Sequence, residues 1–302
     1  MKKTINNSLI IYSDGLNFKI LTDTNVVDAR PKKTLKALDL FPVVGDYVDV
    51  EIYDSKNSYD LNLITKVYSR KNYFLRPNVA NIDLAIIISS TKSPNFDFFL
   101  LLKQIAIIQS KKIIPVIFFN KIDLLDNILF LKLKEYFDYF NQKQFLTLVF
   151  SNDKTNELKT YNFDFLNKKI VLILGQSGAG KSTIINSFNS LYNISIDIKT
   201  QAISKKLNRG KHTTRHFQAY LFPNFMLIDT PGFSSFDLEI NKLTLSKYFL
   251  DFETLSQDCK FYNCLHLNEP NCKIKENYKN SKNLIDQEVY EIYKKMIEKL
   301  EI

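Results

Sequence analysis

Short apolar runs broken by polar turns fill the first seventy residues, at 9–12, 18–21, 26–29, 43–52 and 61–67, with Gly45-Asp46 marking a tight turn before Tyr47-Val-Asp-Val-Glu-Ile52. Strands so short and so evenly spaced predict a small β-barrel. An OB-like barrel suits the length, an SH3-like barrel fits the same pattern, and either can bind nucleic acid or act as a structural cap. Beyond residue 70 the pattern changes. Residues 82–89 and 113–119 are continuous apolar runs of the kind buried on both faces of a parallel sheet, and 97–109 between them reads as a crossover helix. Residues 170–174, 225–228 and, less strongly, 147–150 repeat the strand signature, which predicts an α/β doubly wound domain. After about 240 it stops. Leu284, Ile285, Val289, Ile292, Tyr293, Met296, Ile297 and Leu300 then recur at helical spacing and predict an amphipathic C-terminal helix whose stripe is a packing face. The expected division is a barrel over 1–68, an α/β domain over 69–238 and a helical domain over 239–302.

Composition narrows the class. The 302 residues are 45% hydrophobic and 24% charged, which excludes a wholly disordered or collagen-like chain. The two lysines at the start precede only a short apolar run, so no signal peptide is expected. Nor does any run reach the length of a membrane span. Three cysteines argue against a disulfide framework and for a reducing, cytoplasmic setting. The net charge of +9 is concentrated centrally: residues 71–240 carry twenty-one basic and thirteen acidic groups, while both flanks are nearly balanced. Lys199, Lys205, Lys206, Arg209, Lys211 and Arg215 form a run without a carboxylate. Such a run suits a polyanion, or is a solvated loop in a chain whose richness in Lys, Asn, Ile, Phe and Tyr looks like AT-rich codon usage.

Glycine changes the picture further. There are seven, five of them between 175 and 232, where average usage gives about twenty in the chain. Gly175-Gln-Ser-Gly-Ala-Gly-Lys-Ser182 matches the G-x-x-x-x-G-K-[ST] phosphate loop, after an apolar strand and before a helix. Gly175, Gly178 and Gly180 allow close backbone approach to phosphate, with Gln176, Ser177, Ala179 and Thr183 completing the contact surface. Lys181 reaches the β- and γ-phosphates, and Ser182 can ligate Mg²⁺. Asp229-Thr-Pro-Gly232 ends the strand over 225–228: Asp229 can hold Mg²⁺ through water, and the Gly232 N–H can meet a γ-phosphate. Asn120-Lys-Ile-Asp123 follows the strand over 113–119. The Asp123 carboxylate accepts only, so it pairs with the two adjacent N–H donors of guanine and repels the unprotonated ring nitrogen of adenine. Asn120 can tie loops together, the Lys121 stem can cover the base beside Ile122, and Ser151-Asn152 is a candidate second base-contacting loop. GTP or GDP is the expected nucleotide.

The motif order is unusual. The base selector at 120 precedes the phosphate loop at 175, so the domain is expected to be circularly permuted. Within 209–216, Thr213 or Thr214 is a candidate switch threonine, Thr214 completing the Mg²⁺ shell. Phe233 follows Gly232 where a water-orienting glutamine is usual, which predicts slow intrinsic turnover. Finally, Cys259, Cys264, His266 and Cys272 are spaced C-x4-C-x-H-x5-C, a donor set suited to one closed, structural Zn²⁺.

Taken together, these motifs, with Arg76-Pro-Asn-Val-Ala-Asn-Ile-Asp83 and Gly210-Lys-His-Thr-Thr214, resemble the small-ribosomal-subunit-dependent circularly permuted GTPases of the RsgA (YjeQ, YloQ) family over nearly the full chain. The resemblance implies a circularly permuted P-loop GTPase domain between an N-terminal OB-fold barrel that binds RNA and a C-terminal helical zinc domain. It further implies GTP hydrolysis stimulated by the small (30S) subunit and its 16S rRNA during late maturation, by a monomer that needs no membrane. A histidine that the family often has after the switch, proposed to be catalytic, falls on Leu221 here, which leaves His212 and His216 as fallback candidates. A permuted GTPase of the large subunit and an rRNA-binding placeholder with incidental hydrolysis are the alternatives.

Overall fold

The computed structural model describes residues 2–37, 41–53, 62–75, 77–151, 160–194, 218–229 and 240–300. The basic run over 199–215, Asn152, His212, Thr213, Thr214, His216, Gly232 and Phe233 lie outside the described residues. The chain forms two compact units. One comprises Met1–Asp83, Phe163–Leu172 and Ile194–Pro231, the other Leu84–Asn162, Ile173–Asn193 and Gly232–Ile302.

The first unit opens with strands β1 (Lys2–Ser13), β2 (Phe18–Leu21) and β3 (Val26–Pro31), a short helix α1 (Lys33–Ala37), and strands β4 (Tyr47–Tyr53) and β5 (Asn62–Val67). They close into a five-stranded barrel of order β1-β2-β3-β5-β4, an OB-like arrangement. β1 pairs antiparallel with both β2 and β4, and β3 closes the ring by pairing parallel with β5. Alternate positions face inward, so Phe18 and Ile20 of β2 and Val48 and Val50 of β4 are fully buried together with Ile10 and Ile64. A two-stranded ribbon the sequence pattern did not reveal, β6 (Tyr73–Phe74) with β7 (Val79–Ala80), follows the barrel. Its strands are too short to show alternation.

The α/β part contains β8 (Leu84–Ser90), α2 (Phe98–Ser110), β9 (Ile114–Asn120), α3 (Asn127–Gln142), β10 (Leu146–Phe150), β11 (Ile170–Gly175), α4 (Lys181–Leu191), β12 (Gln218–Leu221) and β13 (Met226–Asp229). The sheet has the order β10-β9-β8-β11-β13-β12, and β11 belongs to both units. β8, β9 and β10 are parallel, in register from Leu84 opposite Ile114 and from Val116 opposite Leu146. β8 and β9 are buried along nearly their whole length, with α2 packed against both, whereas β10 at the sheet edge is only partly buried. Both helices begin at an aspartate cap: Asp97 accepts from Leu100 N and Asp126 from Leu129 N, each at 2.9 Å.

The sheet departs from the all-parallel expectation at its edge. β12 runs antiparallel to β13, with Gln218 opposite Asp229. The two are joined by a tight turn in which Phe222 N donates to Phe225 O at 2.9 Å and the two rings stack at 4.5 Å. A hairpin of this kind needs no crossover helix.

The C-terminal region contains helix α5 (Phe252–Ser256), a π-helical turn over Lys275–Lys279, and α6 (Leu284–Glu298). Ile285, Val289, Ile292, Tyr293, Met296 and Ile297 form the buried stripe of α6, joined by Tyr290. Leu284 differs from expectation: it is the first helical residue, beside the Asn283 cap, and is exposed. Phe249, Phe252, Tyr278 and Tyr293 pack ring to ring beneath this stripe.

Candidate nucleotide and metal sites

The phosphate loop leaves β11 at Gly175, whose φ of 148° and surroundings both exclude a side chain: a Cβ there would stand 2.6 Å from Ile88 O. Gly178 at φ 77° and Gly180 at φ 100° complete the turn, and Gly180 caps α4. Gln176, Ser177 and Gly178 are at least partly exposed, whereas Ala179 is buried, so the loop's backbone is presented outward while its far end is pinned. Lys181 folds over the loop, its Nζ donating to Gly175 O at 2.7 Å and Gln176 O at 3.0 Å. Ser182 is exposed and Thr183 half-buried at the N-terminus of α4, where the N–H groups of a helix's first turn and its dipole favour an anion. This is a cradle shaped for a polyphosphate.

The loop after β9 meets it. Asn120 is fully buried, and its Nδ2 donates to Ala179 O at 2.8 Å while its Oδ1 accepts from Lys121 N at 2.8 Å. Lys121 sits at φ 66°, its carbonyl accepting from Thr91 Oγ1 at 2.9 Å and its Nζ donating to Ser93 O. That conformation turns the chain sharply, so that Ile122 is half-buried and Asp123 is exposed on a single 3₁₀ turn. Ser151, buried at the end of β10, donates from Oγ to Asp123 Oδ1 at 3.1 Å. The structure thus brings Asn120, Lys121, Asp123 and Ser151 together with the phosphate loop. Thr91 and Ser93 are contributors that the sequence reading missed, since nothing in a Ser/Thr/Lys loop marks them.

Asp229 ends β13, partly exposed, with Leu221 of β12 opposite Met226 in the same hairpin. Burial, with the Asp229 charge added, pushes the neighbouring Tyr220 phenol up to about 12.

The ligand atoms of Cys259, Cys264, His266 and Cys272 all lie within 4.8 Å of one another. His266 Nδ1 is 3.6 Å from Cys259 Sγ and 3.4 Å from Cys272 Sγ, and those sulfurs are 4.0 Å apart. Burial lowers His266 to a pKa of about 4, so the ring is neutral and available as a donor. Burial, and then the adjacent Cys272, raise Cys264 to about 12, a cost that a bound cation reverses. Three sulfurs and one imidazole in a closed set fit a tetrahedral structural metal. Glu269, absent from the sequence reading, organises the loop between the last three ligands: its carboxylate accepts from Leu265 N at 2.7 Å, Leu267 N at 2.9 Å and Asn268 N at 3.0 Å. α6 braces the same loop through Tyr290 OH to His266 O at 2.8 Å and Tyr293 OH to Leu265 O at 3.1 Å.

Helix α3, which starts just after Asp123, is tied to this C-terminal module. Lys143 Nζ donates to Asp251 Oδ2 at 2.8 Å and to Tyr278 OH at 2.9 Å, and Tyr278 OH donates to Asp251 Oδ1. Tyr136 OH reaches Glu288 Oε2 at 2.7 Å and Tyr139 OH reaches Asp286 Oδ1 at 3.1 Å. Burial, followed by the charge of Tyr139 and the hydrogen bond to Asp251, drives the Tyr278 phenol far above its usual range, so it acts as a neutral donor.

This constellation matches known proteins over most of the chain. Residues 67–239 match the family model described as RsgA GTPase. A small ribosomal subunit biogenesis GTPase RsgA of Mycoplasmopsis pulmonis is 43% identical over 246 residues, covering 80% of this chain and 81% of that protein. One from Pediococcus pentosaceus is 37% identical over 262 residues, covering 85% and 82% respectively. In fold, the chain is similar to YloQ, a circularly permuted GTPase, with a TM-score of 0.78 at 24% identity over 99% of this chain and 95% of that one. YjeQ from Thermotoga maritima gives a TM-score of 0.77 at 23% identity over 99% of both chains. Among the described residues, no helix is long and apolar enough to cross a membrane. With its Asn-Lys-Ile-Asp motif ahead of its glycine-rich G-x-x-x-x-G-K-S loop, a closed barrel before both and a Cys₃His cluster after them, the chain belongs to the RsgA family of circularly permuted GTPases.

Proposed function

We propose that this GTPase binds Mg²⁺–GTP in the joined loops and hydrolyses it on the small ribosomal subunit during late maturation, a reading supported by relatives that are named small ribosomal subunit biogenesis GTPases. The observation that carries the reading is the hydrogen bond from Asn120 Nδ2 to Ala179 O, which fixes the guanine-selecting loop against the phosphate cradle. In this reading Asp123 accepts from the guanine edge, Ser151 holds that carboxylate in place, and the Lys121 stem covers the base. Lys181 leaves the carbonyls of Gly175 and Gln176 to neutralise the β- and γ-phosphates. Ser182 and Asp229 keep their sequence-based roles as the residues that would hold Mg²⁺, an ion that would supply charge neutralisation. Thr213, Thr214 and Gly232 keep their sequence-based roles as switch residues, with His212 and His216 as fallback candidates for orienting water. The Cys₃His set holds one structural Zn²⁺.

The same reading makes residues 1–68 the rRNA-binding barrel, 69–238 the GTPase domain and 239–302 the zinc domain of a cytoplasmic monomer that engages 16S rRNA. GTP turnover measured with and without purified subunits tests it: small subunits should raise the rate many-fold. A rate raised instead by large subunits overturns it. A Lys181→Ala variant that still supports GTP-dependent maturation would make the protein a placeholder in which hydrolysis is incidental.

A further inference from the structure

The end of β11 remote from the phosphate loop is held by a continuous polar strut that starts in the barrel. Asp46 is fully buried, its carboxylate accepting from Arg70 Nε at 2.7 Å, Arg70 Nη2 at 2.8 Å and Val43 N at 2.8 Å. Beside it Gly45, at φ 90°, lies so close to the β6–β7 ribbon that a Cβ would stand 2.1 Å from Ala80 O. Asn81 Nδ2 donates to Gly45 O at 2.9 Å, and Asn81 Oδ1 accepts from Lys71 N at 2.9 Å. Asn72 closes a clasp on Ile82, accepting from its N–H at 2.9 Å and donating to its carbonyl at 2.8 Å. The strut ends at Asp83. Its N–H donates to Ile170 O at 2.8 Å, its Oδ2 accepts from Ile170 N at 2.7 Å, and its Oδ1 is paired with Lys71 Nζ.

Ile170 is the first residue of β11, which runs fully buried to Gly175. The two residues before it hold the other functional strand: Met226 N donates to Lys169 O at 3.0 Å and Lys168 N to Asn224 O at 2.6 Å. β13 carries that anchorage to Asp229. A buried, laterally bonded strand is stiff along its axis, so a shift at Ile170 is passed to Gly175 rather than absorbed.

We propose that Asp83 is a positioning residue through which the barrel sets the register of the phosphate-loop strand. The inference rests on the proposed function, in which that strand holds GTP and a partner engages the barrel. The Lys71 pair is half-exposed and supplies little energy by itself. Its part is to connect, because one carboxylate serves the segment leaving the barrel and the strand entering the phosphate loop. The directional constraint comes from the other oxygen, bonded to a main-chain N–H.

The test uses the full chain, with Asp83→Asn and Lys71→Met made singly and together. Readouts are mant-GDP affinity, amide exchange along Ile170–Gly175, and GTP turnover with and without small subunits. Asp83→Asn should weaken nucleotide binding by about tenfold, the scale of one charge-assisted hydrogen bond, and speed exchange in Ile170–Gly175 but not in β9. Lys71→Met keeps the bond to Ile170, so nucleotide affinity should hold while the response to subunits falls. The double variant should be no worse than Asp83→Asn, because both act through one path. Unchanged affinity and exchange in Asp83→Asn would overturn the proposal, as would exchange that rises across the whole sheet or a Lys71→Met response equal to wild type. If wild type itself ignores small subunits, the functional reading fails, while affinity and exchange still decide the role of Asp83.

Discussion

Asn120 and Ala179 are joined by a buried hydrogen bond across fifty-nine positions of sequence, and it locks the Asn-Lys-Ile-Asp loop to the glycine-rich loop that follows β11. The permuted order of the chain therefore leaves the nucleotide site's geometry intact, since what must be close is made close by side-chain contact rather than by sequence order.

Removing that lock should cost binding. Asn120→Ala leaves Ala179 O buried without this donor, a loss of about 1–3 kcal/mol, which corresponds to roughly five- to 150-fold in GTP affinity. Fluorescent-nucleotide titration checks it, with circular dichroism to show that the fold persists.

Asp123 should control base identity. Asp123→Asn replaces an acceptor by an amide that can also donate, so it should bind guanine nucleotides weakly and xanthine nucleotides, which carry a carbonyl in place of the exocyclic amine, better. Competition between GTP and XTP reads the switch directly; a variant that still prefers GTP would remove Asp123 from the base site.

The loop glycines should differ in tolerance. Gly175→Ala puts a Cβ 2.6 Å from Ile88 O, so it should lower stability and abolish nucleotide binding together. At Gly178 the nearest atom to an added Cβ is Pro94 Cδ at 3.8 Å, so Gly178→Ala meets only backbone strain at φ 77° and should be the milder change. Thermal melts of the two variants beside wild type give the comparison.

Metal removal should unfold the C-terminal module first. A strong chelator is expected to release close to one Zn²⁺ per chain and to speed amide exchange around Cys259–Cys272 ahead of the parallel sheet. Glu269→Ala, which strips the acceptor from three loop N–H groups, should weaken metal retention by about 10–100-fold, read as release to a chromophoric chelator.

The Lys143, Asp251 and Tyr278 group should behave as one unit. Lys143→Met and Tyr278→Phe each break a partly buried network and should destabilise by about 1–3 kcal/mol in urea melts, with the double variant well short of the sum. Additive losses would mean that the contacts are independent.

The sequence by itself determined the chemistry and the strand scaffold. Glycines at 175, 178 and 180, the Asn-Lys-Ile-Asp motif and the Cys₃His spacing are local requirements on residue type, and apolar runs such as 113–119 follow from burial on both faces, so both kinds of signal survive in one dimension. Tertiary structure decided the rest. The antiparallel β12 depends on a hairpin partner, Thr91 and Ser93 act through contacts to Lys121, thirty and twenty-eight positions away, and Glu269 is defined only by the N–H groups that surround it. Asp83 shows the reason most plainly. Its partner Ile170 lies eighty-seven positions along the chain, and a hydrogen bond at such separation depends on where the fold brings two backbones together, which no local pattern of residues encodes.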